Sequence, residues 1–157
     1  MSHRVLMVCM GNICRSPTAE GVLRQLAAEL APELRLEVDS AGTHAYHLGE
    51  PPDARAIEHA RRRGIEIGHL RARQVEARDH TRFDLILAMD EDNLARLAQR
   101  RPPDATATLQ LLLDHAPGAA RRQVPDPYYG GAEGFETVLD LVDAAARGLL
   151  ATLRARC

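Results

Sequence analysis

The residues most able to do chemistry in this chain lie together between positions 9 and 17. Cys9 follows an apolar run, Gly11 and Asn12 tolerate a positive φ angle, and Arg15 precedes a Ser-Pro dipeptide. Residues that tolerate positive φ let backbone N–H groups turn inward and form an anion-binding cradle. The N-terminus of the helix that follows adds positive potential. This segment is therefore predicted to bind an oxyanion such as phosphate.

Within that cradle, Cys9 and Arg15 have complementary capacities. An anion-binding loop at a helix N-terminus favours the thiolate, which is the nucleophilic form of cysteine. The loop amides and the Ser16 hydroxyl are candidate donors to the sulfur, and the planar guanidinium of Arg15 can bind two phosphate oxygens. An isolated cysteine would more often be a small core residue, and an isolated arginine a solvated one. Here every local signal agrees, so we favour attack of Cys9 on phosphorus.

Composition narrows the functional class. The 157 residues include 20 basic and 22 acidic side chains, and every basic one is arginine. Walker-type nucleotide loops and Schiff-base chemistry, which need lysine, are therefore excluded. The net charge of −2 gives no general attraction to nucleic acid or anionic lipid. No apolar run approaches the roughly 18 residues of a membrane span, and no secretory signal is recognisable, so we expect a cytoplasmic protein.

The sulfur and imidazole side chains show no metal-ligand spacing. The three cysteines, Cys9, Cys14 and Cys157, contain no C-x-x-C pair and fit neither a disulfide scaffold nor a zinc ribbon. The seven histidines have no recognised ligand spacing either. We expect reduced thiols and no metal site.

Strands and helices alternate along the chain. Strands are predicted at 4–9, 34–38, 83–89 and 108–113, and the second lies near an edge because its apolar residues alternate with charged ones. Helices are predicted from an N-cap at Ser16 to Leu30, after Asp53 as far as Arg63 with Gly64 as terminator, over 90–97, and over an apolar stripe from 135 to 153. Residues 39–43 are expected to form a loop.

This alternation predicts an α/β fold. We expect one domain over residues 1–157, built on a doubly wound four-stranded parallel sheet with helices on both faces, in three layers. In such a sheet, ligands bind beyond the carboxyl ends of the strands. Cys9 stands at the end of the first strand, which agrees with the predicted cradle.

The cradle also carries a family resemblance. It matches the pattern C-x-G-N-x-C-R-S-P of the low-molecular-weight protein tyrosine phosphatases, which the sequence resembles over essentially its whole length. The likeness continues through Asp39-Ser40-Ala41-Gly42-Thr43, Gly49-Glu50-Pro51-Pro52-Asp53, Ala72-Arg73-Gln74, Met89-Asp90-Glu91 and Asp126-Pro127-Tyr128-Tyr129. The resemblance implies a flavodoxin-like fold and metal-independent hydrolysis of phosphotyrosine in proteins and of aryl phosphates, without a cofactor.

The resemblance also implies roles for individual residues. The reaction would pass through a phosphocysteine on Cys9, with Arg15 binding phosphate and Asp126 acting as general acid and then general base. The residues implied to support the loop are Asn12, Ser16 and Ser40. Those implied to bind substrate are Met10, Gly11, Asn12, Ile13, Cys14, Ser16, Tyr46, Tyr128 and Tyr129. The implied partners are phosphotyrosine proteins, with phosphate or another oxyanion as product or inhibitor, and we expect a monomer.

Three other functions are possible on this cradle. The related protein-arginine phosphatases generally have threonine at the position of Ile13 and lack the second tyrosine. One class of arsenate reductase needs further cysteines, and this chain has none between Cys14 and Cys157. A non-catalytic phosphotyrosine- or oxyanion-binding module would need neither Cys9 nor Asp126. The sequence thus favours the tyrosine phosphatase.

Two side chains have open assignments. Cys14 could form a reversible disulfide with Cys9, since a loop wound around an anion can bring two Cα atoms within the roughly 4.4 to 6.8 Å that a disulfide requires. Its alternative role is core packing. His69 is the candidate for a histidine that the family places near the Arg-Gln motif, and its alternative is an ordinary loop histidine.

Overall fold

A four-stranded parallel sheet forms the centre of the protein, with strand order β2-β1-β3-β4. The structure is a computed structural model that describes residues 3–128 and 130–156. The strands are β1 (Arg4–Cys9), β2 (Glu37–Gly42), β3 (Leu85–Ala88) and β4 (Thr108–Leu111). The helices are α1 (Arg15–Leu30), α2 (Ala54–Arg62), α3 (Asp79–Arg82), α4 (Glu91–Gln99) and α5 (Ala132–Ala155), and short 3-10 turns lie at Pro32–Leu34 and Leu112–His115.

Alternate side chains of β1 enter two separate apolar cores. Val5 and Met7 pack in the larger core, which also holds the apolar faces of α1 and α5. Leu6 and Val8 pack in the smaller core on the opposite face, where α4 contributes Leu97. A central strand covered on both faces explains the nearly continuous apolar run. The predicted doubly wound fold is confirmed, and so is the edge position of β2.

The second strand lies later in the chain than the sequence predicts. Leu34 ends a 3-10 turn over residues 32–34 instead of starting the strand predicted over 34–38, and Arg35 adopts a left-handed φ of 50°. The strand then includes residues 37–42, most of the segment expected to be a loop, because it pairs with β1 as far as Gly42 opposite Cys9. Glycine is required there, since a Cβ would lie 2.7 Å from the carbonyl oxygen of Met10.

Helix α1 begins two residues earlier than expected. The sequence predicts Ser16 as its N-cap, but Cys14 occupies that position and Ser16 lies within the first turn. The Ser16 hydroxyl instead contacts the side chains of Cys9 and Asn12. The hydroxyl of Ser16 thus binds residues of the preceding loop instead of capping the helix.

Parallel pairing brings the loops after β1, β2 and β3 to one edge of the sheet. The backbone N–H of Met89 donates to the carbonyl of Val8 at 3.0 Å, and that of Thr43 donates to the carbonyl of Cys9 at 2.9 Å. Asp90, the N-cap of α4, follows directly. Among the described residues, no helix is long and apolar enough to cross a membrane.

Candidate active site

A cavity of about 330 Å³ opens at the carboxyl end of β1. The side chain of Cys9 is part of its wall and is only 2% exposed. Most of the predicted site residues meet there, together with one histidine that was not predicted. The lining residues are Cys9, Met10, Gly11, Ile13, Cys14, Arg15, Tyr46, His47, Asp126 and Tyr128.

The sulfur of Cys9 lies between two hydrogen-bonding groups. Its Sγ is 2.9 Å from the Oγ of Ser16, and it accepts a hydrogen bond from the backbone N–H of Asn12 at 3.3 Å. A thiolate can only accept, so the Ser16 hydroxyl would donate to it. Each hydrogen bond to a charged group contributes about 1.5 to 3 kcal/mol. The loop can therefore stabilise a negative sulfur through both contacts.

Asn12 holds the loop in shape. Its φ of 59° is left-handed, a conformation that asparagine tolerates better than most residues. Its Nδ2 donates to the hydroxyls of Ser16 at 2.8 Å and Ser40 at 3.0 Å, and its Oδ1 accepts from the backbone N–H of Arg73 at 3.0 Å. Asn12 and Ser16 are buried and, within the described part of the chain, lie outside the cavity lining. Their geometry fits support better than direct substrate contact.

The support network ends on a buried carboxylate. The Ser40 hydroxyl donates to Oε1 of Glu20 at 2.7 Å, and Glu20 is buried. Burial raises the pKa of Glu20, and the hydrogen bond from Ser40 and the charge of Arg24 oppose that rise. Glu20 was not predicted from the sequence. Its spacing of four residues from Ser16, which places both on one face of α1, is the signal that could have found it.

Arg15 is fixed by groups from two other segments. Its Nη1 donates to Oδ2 of Asp90 at 2.6 Å and to the carbonyl of Val124 at 3.1 Å, and its Nη2 lies 3.7 Å from Oδ2 of Asp126. Burial alone would lower the pKa of Arg15, but the negative charges of Cys9, Asp90 and Asp126 raise it above its ordinary value. The guanidinium is thus a permanent, oriented cation. From the sequence, Asp90 was predicted only as the start of a helix and as part of a segment that carries the family resemblance.

Asp126 lies in a loop that is anchored beside this arginine. The N–H of Val124, two residues earlier, donates to the carbonyl of Met89 at 2.8 Å. Oδ1 of Asp126 accepts from the backbone N–H of Tyr128 at 3.0 Å, and Oδ2 faces Arg15. About a third of the carboxyl side chain is exposed. It can therefore reach a group bound in the cavity.

Aromatic and imidazole side chains lie at the mouth of the cavity. Tyr46 is 68% exposed and stacks on His44, with 5.0 Å between ring centroids. The imidazole of His47 lies over Gly11, where a Cβ would be 3.0 Å from its Cδ2, and its Nδ1 is 2.6 Å from Oε2 of Glu50. Glycine at position 11 thus allows this close approach. His47 is a wall residue that was not predicted, because nothing in its spacing distinguishes it from the other loop histidines.

The remaining predicted residues have different positions. Cys14 is a buried free thiol, and burial, with the nearby charge of Asp53, raises its pKa well above the usual value. His69 is exposed. The residue near the Arg-Gln motif that contacts the loop is Arg73, whose backbone N–H donates to Oδ1 of Asn12. Tyr129 and Cys157 lie outside the described residues. Within residues 3–128 and 130–156, no group of three or more His, Cys, Asp or Glu side chains could hold a metal ion.

Comparison with known proteins identifies the family. The model of the low molecular weight phosphotyrosine protein phosphatases matches residues 4–157. The low molecular weight protein-tyrosine-phosphatase YfkJ of Bacillus subtilis is 41% identical over 150 residues, which are 96% of this chain and 95% of that protein. The chain therefore belongs to the low molecular weight phosphotyrosine protein phosphatase family and is a hydrolase of that type.

Solved structures agree with this assignment. A protein tyrosine phosphatase from Entamoeba histolytica has a TM-score of 0.91 at 36% identity, covering 98% of this chain and 97% of that one. A Drosophila arginine phosphatase has a TM-score of 0.88 at 32% identity, covering 96% of this chain and 98% of that one. The fold is thus shared by enzymes named for different phosphorylated residues.

Proposed function

We propose that this protein hydrolyses phosphotyrosine in proteins, and aryl phosphates, through a phosphocysteine on Cys9. One observation carries the proposal: the Cys9 sulfur, the Arg15 guanidinium and the Asp126 carboxyl line one cavity, with Nη2 of Arg15 3.7 Å from Asp126. A nucleophile, a phosphate-binding fork and a proton donor are the groups that phosphoryl transfer from a phenol needs.

In the first step the Cys9 thiolate attacks phosphorus. The S–P bond forms as the bond between phosphorus and the phenolic oxygen breaks, and the Asp126 carboxyl gives its proton to that oxygen. Arg15 holds two of the non-bridging oxygens throughout. The hydrogen bond from Ser16 stabilises the sulfur as an attacking group now and as a leaving group later.

In the second step water attacks the phosphorus of the phosphocysteine. The Asp126 carboxylate takes a proton from that water, the S–P bond breaks, and inorganic phosphate leaves. The enzyme then has its starting proton on Asp126 and its thiolate on Cys9, so the cycle needs no redox partner. Phosphate and other tetrahedral oxyanions are expected to inhibit by occupying the same cradle.

Tyrosine is the amino acid that we propose for the phosphorylated substrate. Ile13, Tyr46 and Tyr128 give the cavity the apolar walls that an aromatic ring needs. The protein-arginine phosphatase alternative would be favoured by a small polar residue where Ile13 stands. We further propose that the chain acts as one domain, as a monomer, in the reducing cytoplasm where Cys9 and Cys14 stay reduced.

The test is hydrolysis of phosphotyrosine peptide, phosphoarginine peptide and aryl phosphate in a metal chelator. We expect chelator-resistant turnover of phosphotyrosine in the wild type and none in Cys9→Ser. Acid-quenched protein should carry phosphate on cysteine. Preference for phosphoarginine would overturn the assignment of substrate, and tight phosphopeptide binding without turnover would indicate a binding module.

A further inference from the structure

Arg55, in the first turn of α2, contacts both the cradle side and the acid side of the cavity. Its Nε and Nη2 donate to the two carboxylate oxygens of Asp53, each at 3.0 Å. The same Nη2 donates to the carbonyl of Tyr128 at 2.9 Å. Arg55 was not predicted from the sequence, because one arginine among 20 near a helix start carries no distinguishing signal.

The rings around Arg55 fix the guanidinium in place. Its central carbon lies 5.6 Å from the ring centroid of Tyr128 and 4.8 Å from that of Phe135. Phe135 is a buried residue of α5, so one of these rings belongs to the rigid core. Although 45% of the Arg55 side chain is exposed, its N–H groups make hydrogen bonds and its planar face lies against aromatic rings. Such a guanidinium is oriented, unlike most surface arginines.

The contacts on either side of Arg55 reach the proposed catalytic loops. The backbone N–H of Asp53 donates to the carbonyl of Ile13 in the cradle at 2.8 Å. On the other side, the backbone N–H of Tyr128 donates to Oδ1 of Asp126 at 3.0 Å. Ile13, Asp53, Arg55, Tyr128 and Asp126 therefore form a continuous series of hydrogen bonds from the phosphate cradle to the proposed acid.

We propose that Arg55 is a positioning residue that holds the Asp126 carboxyl at its working distance from the phosphate cradle. The inference rests on the proposed role of Asp126 as general acid. Proton transfer requires the donor within hydrogen-bond reach of the leaving oxygen, so a small displacement of the loop weakens catalysis. Arg55 itself touches no reacting atom in this scheme.

Charge supports the same arrangement. The hydrogen bonds from Arg55 are the largest cause of a lowered pKa of Asp53, so the arginine favours the ionised carboxylate that accepts them.

The test compares Arg55→Gln with Arg61→Gln. Arg61 is a matched control because it lies on the same helix and also donates from Nε and Nη2 to a carboxylate, that of Glu66, away from the cavity. The readout is kcat/KM for aryl phosphates whose phenols become progressively poorer leaving groups. We expect Arg55→Gln to lose about tenfold with phenyl phosphate and less than about threefold with 4-nitrophenyl phosphate, a partial loss of the 10²–10⁴-fold that a general acid supplies. Arg61→Gln should match the wild type.

The variant Asp126→Asn separates failure of this inference from failure of the proposed function. If the loss of kcat/KM caused by Asp126→Asn is the same for every phenol, the proposed role of Asp126 as general acid is wrong. If the loss of kcat/KM in Asp126→Asn grows as the phenol becomes a poorer leaving group, but Arg55→Gln loses no kcat/KM or loses the same with every phenol, the positioning role of Arg55 is wrong. In the double variant, Arg55→Gln should cost less than about twofold, because residues acting as one unit are not additive. Equal costs in both backgrounds would also overturn the inference.

The conservative variant Arg55→Lys guards against a general loss of folding. It keeps the charge but lacks the planar fork that engages Asp53 and Tyr128 together. We expect Arg55→Lys to leave the melting temperature unchanged and to show a leaving-group dependence between those of wild type and Arg55→Gln. In both Arg55 variants, kcat/KM should fall less steeply with rising pH on the alkaline side of its pH profile. A parallel loss of melting temperature and of activity toward every phenol in both Arg55 variants would mark the role as structural only.

Discussion

Arg15 donates a hydrogen bond from Nη1 to Oδ2 of Asp90 across 2.6 Å, which joins the first residue of α1 to the N-cap of α4. The arginine side chain is only 4% exposed, and the carboxylate is 20% exposed. Burying a guanidinium without a partner is costly, so Asp90 offsets its desolvation and also fixes the plane of its fork. Asp90 thus determines where the fork presents its remaining donors.

We expect Asp90→Asn to weaken phosphate binding. Asparagine keeps the N-cap of α4, which Asp90 provides by accepting from the N–H of Asn93 at 2.7 Å, but removes the charge that orients Arg15. The inhibition constant for phosphate should rise about tenfold, or about 1.4 kcal/mol. Asp92→Asn, in an exposed pair with Arg96 on the same helix, is the control. Tighter phosphate binding would show that charge neutralisation outweighs orientation.

A pair of substitutions at Asn12 separates backbone conformation from hydrogen bonding. Both Asn12→Gly and Asn12→Ala remove the bonds to Ser16, Ser40 and Arg73, but only glycine adopts the φ of 59° without strain. We expect alanine to be less stable than glycine by about 1 to 2 kcal/mol in urea unfolding. Both should lose kcat/KM with phosphotyrosine. Equal stabilities would mean that the loop relaxes to a different backbone conformation.

Glu20 makes stability depend on pH. Burial raises the pKa of Glu20 above its ordinary 4.5, so the folded chain holds this proton over a range in which the unfolded chain has released it. The unfolding free energy therefore falls as pH rises from about 4.5 through the folded value, and this contribution is constant above it.

Glu20→Gln should consequently gain stability relative to wild type between pH 4 and pH 7, since its amide oxygen can still accept from Ser40 without ionising. Urea unfolding at several pH values measures this. Glu29→Gln, at an exposed position of α1, is the control. A stability difference that is constant across the range, or that shrinks toward neutral pH, would contradict the assignment.

Cys14 is expected to protect Cys9 from irreversible oxidation. Peroxide converts the Cys9 thiolate to a sulfenic acid, and attack by the Cys14 sulfur would form an S–S bond and release water. Because burial raises the pKa of Cys14, this second step should accelerate as pH rises. Activity after peroxide should return with dithiothreitol in wild type and in Cys157→Ser, but not in Cys14→Ser. Equal recovery in Cys14→Ser would mean that Cys14 serves only packing.

The sequence was informative where one physical requirement fixes the residue type. The apolar run of β1 indicates a strand buried on both faces, and Gly64, with φ of 77°, follows the end of α2 as predicted. The second strand was misplaced because the apolar alternation after residue 34 resembles an exposed strand, whereas the paired residues Ser40 to Gly42 resemble a loop by type. Gly42 must be small because a Cβ there would lie 2.7 Å from the carbonyl oxygen of Met10, and this closeness follows from its register opposite Cys9.

The site followed the same rule. Cys9 and Arg15 are adjacent in sequence to their own cradle, so local spacing predicts them. Asp90 and Arg55 contact that site from other segments, and each has an ordinary local explanation, as a helix cap and as a helix-start arginine. Their contacts depend on which strand ends and helix starts become neighbours in three dimensions. Contacts of that kind are invisible to periodicity.

Val124 is bound through both of its backbone groups, by the carbonyl of Met89 and by Nη1 of Arg15. Because Val124 is anchored in this way, movement of the exposed residues 117–122 is not transmitted along the backbone to Asp126. Lengthening a surface connection costs little entropy when its ends stay fixed. Insertions or a peptide tag between 117 and 122 should be absorbed before they reach the acid, which makes this segment the natural place for a reporter group in a fully active enzyme.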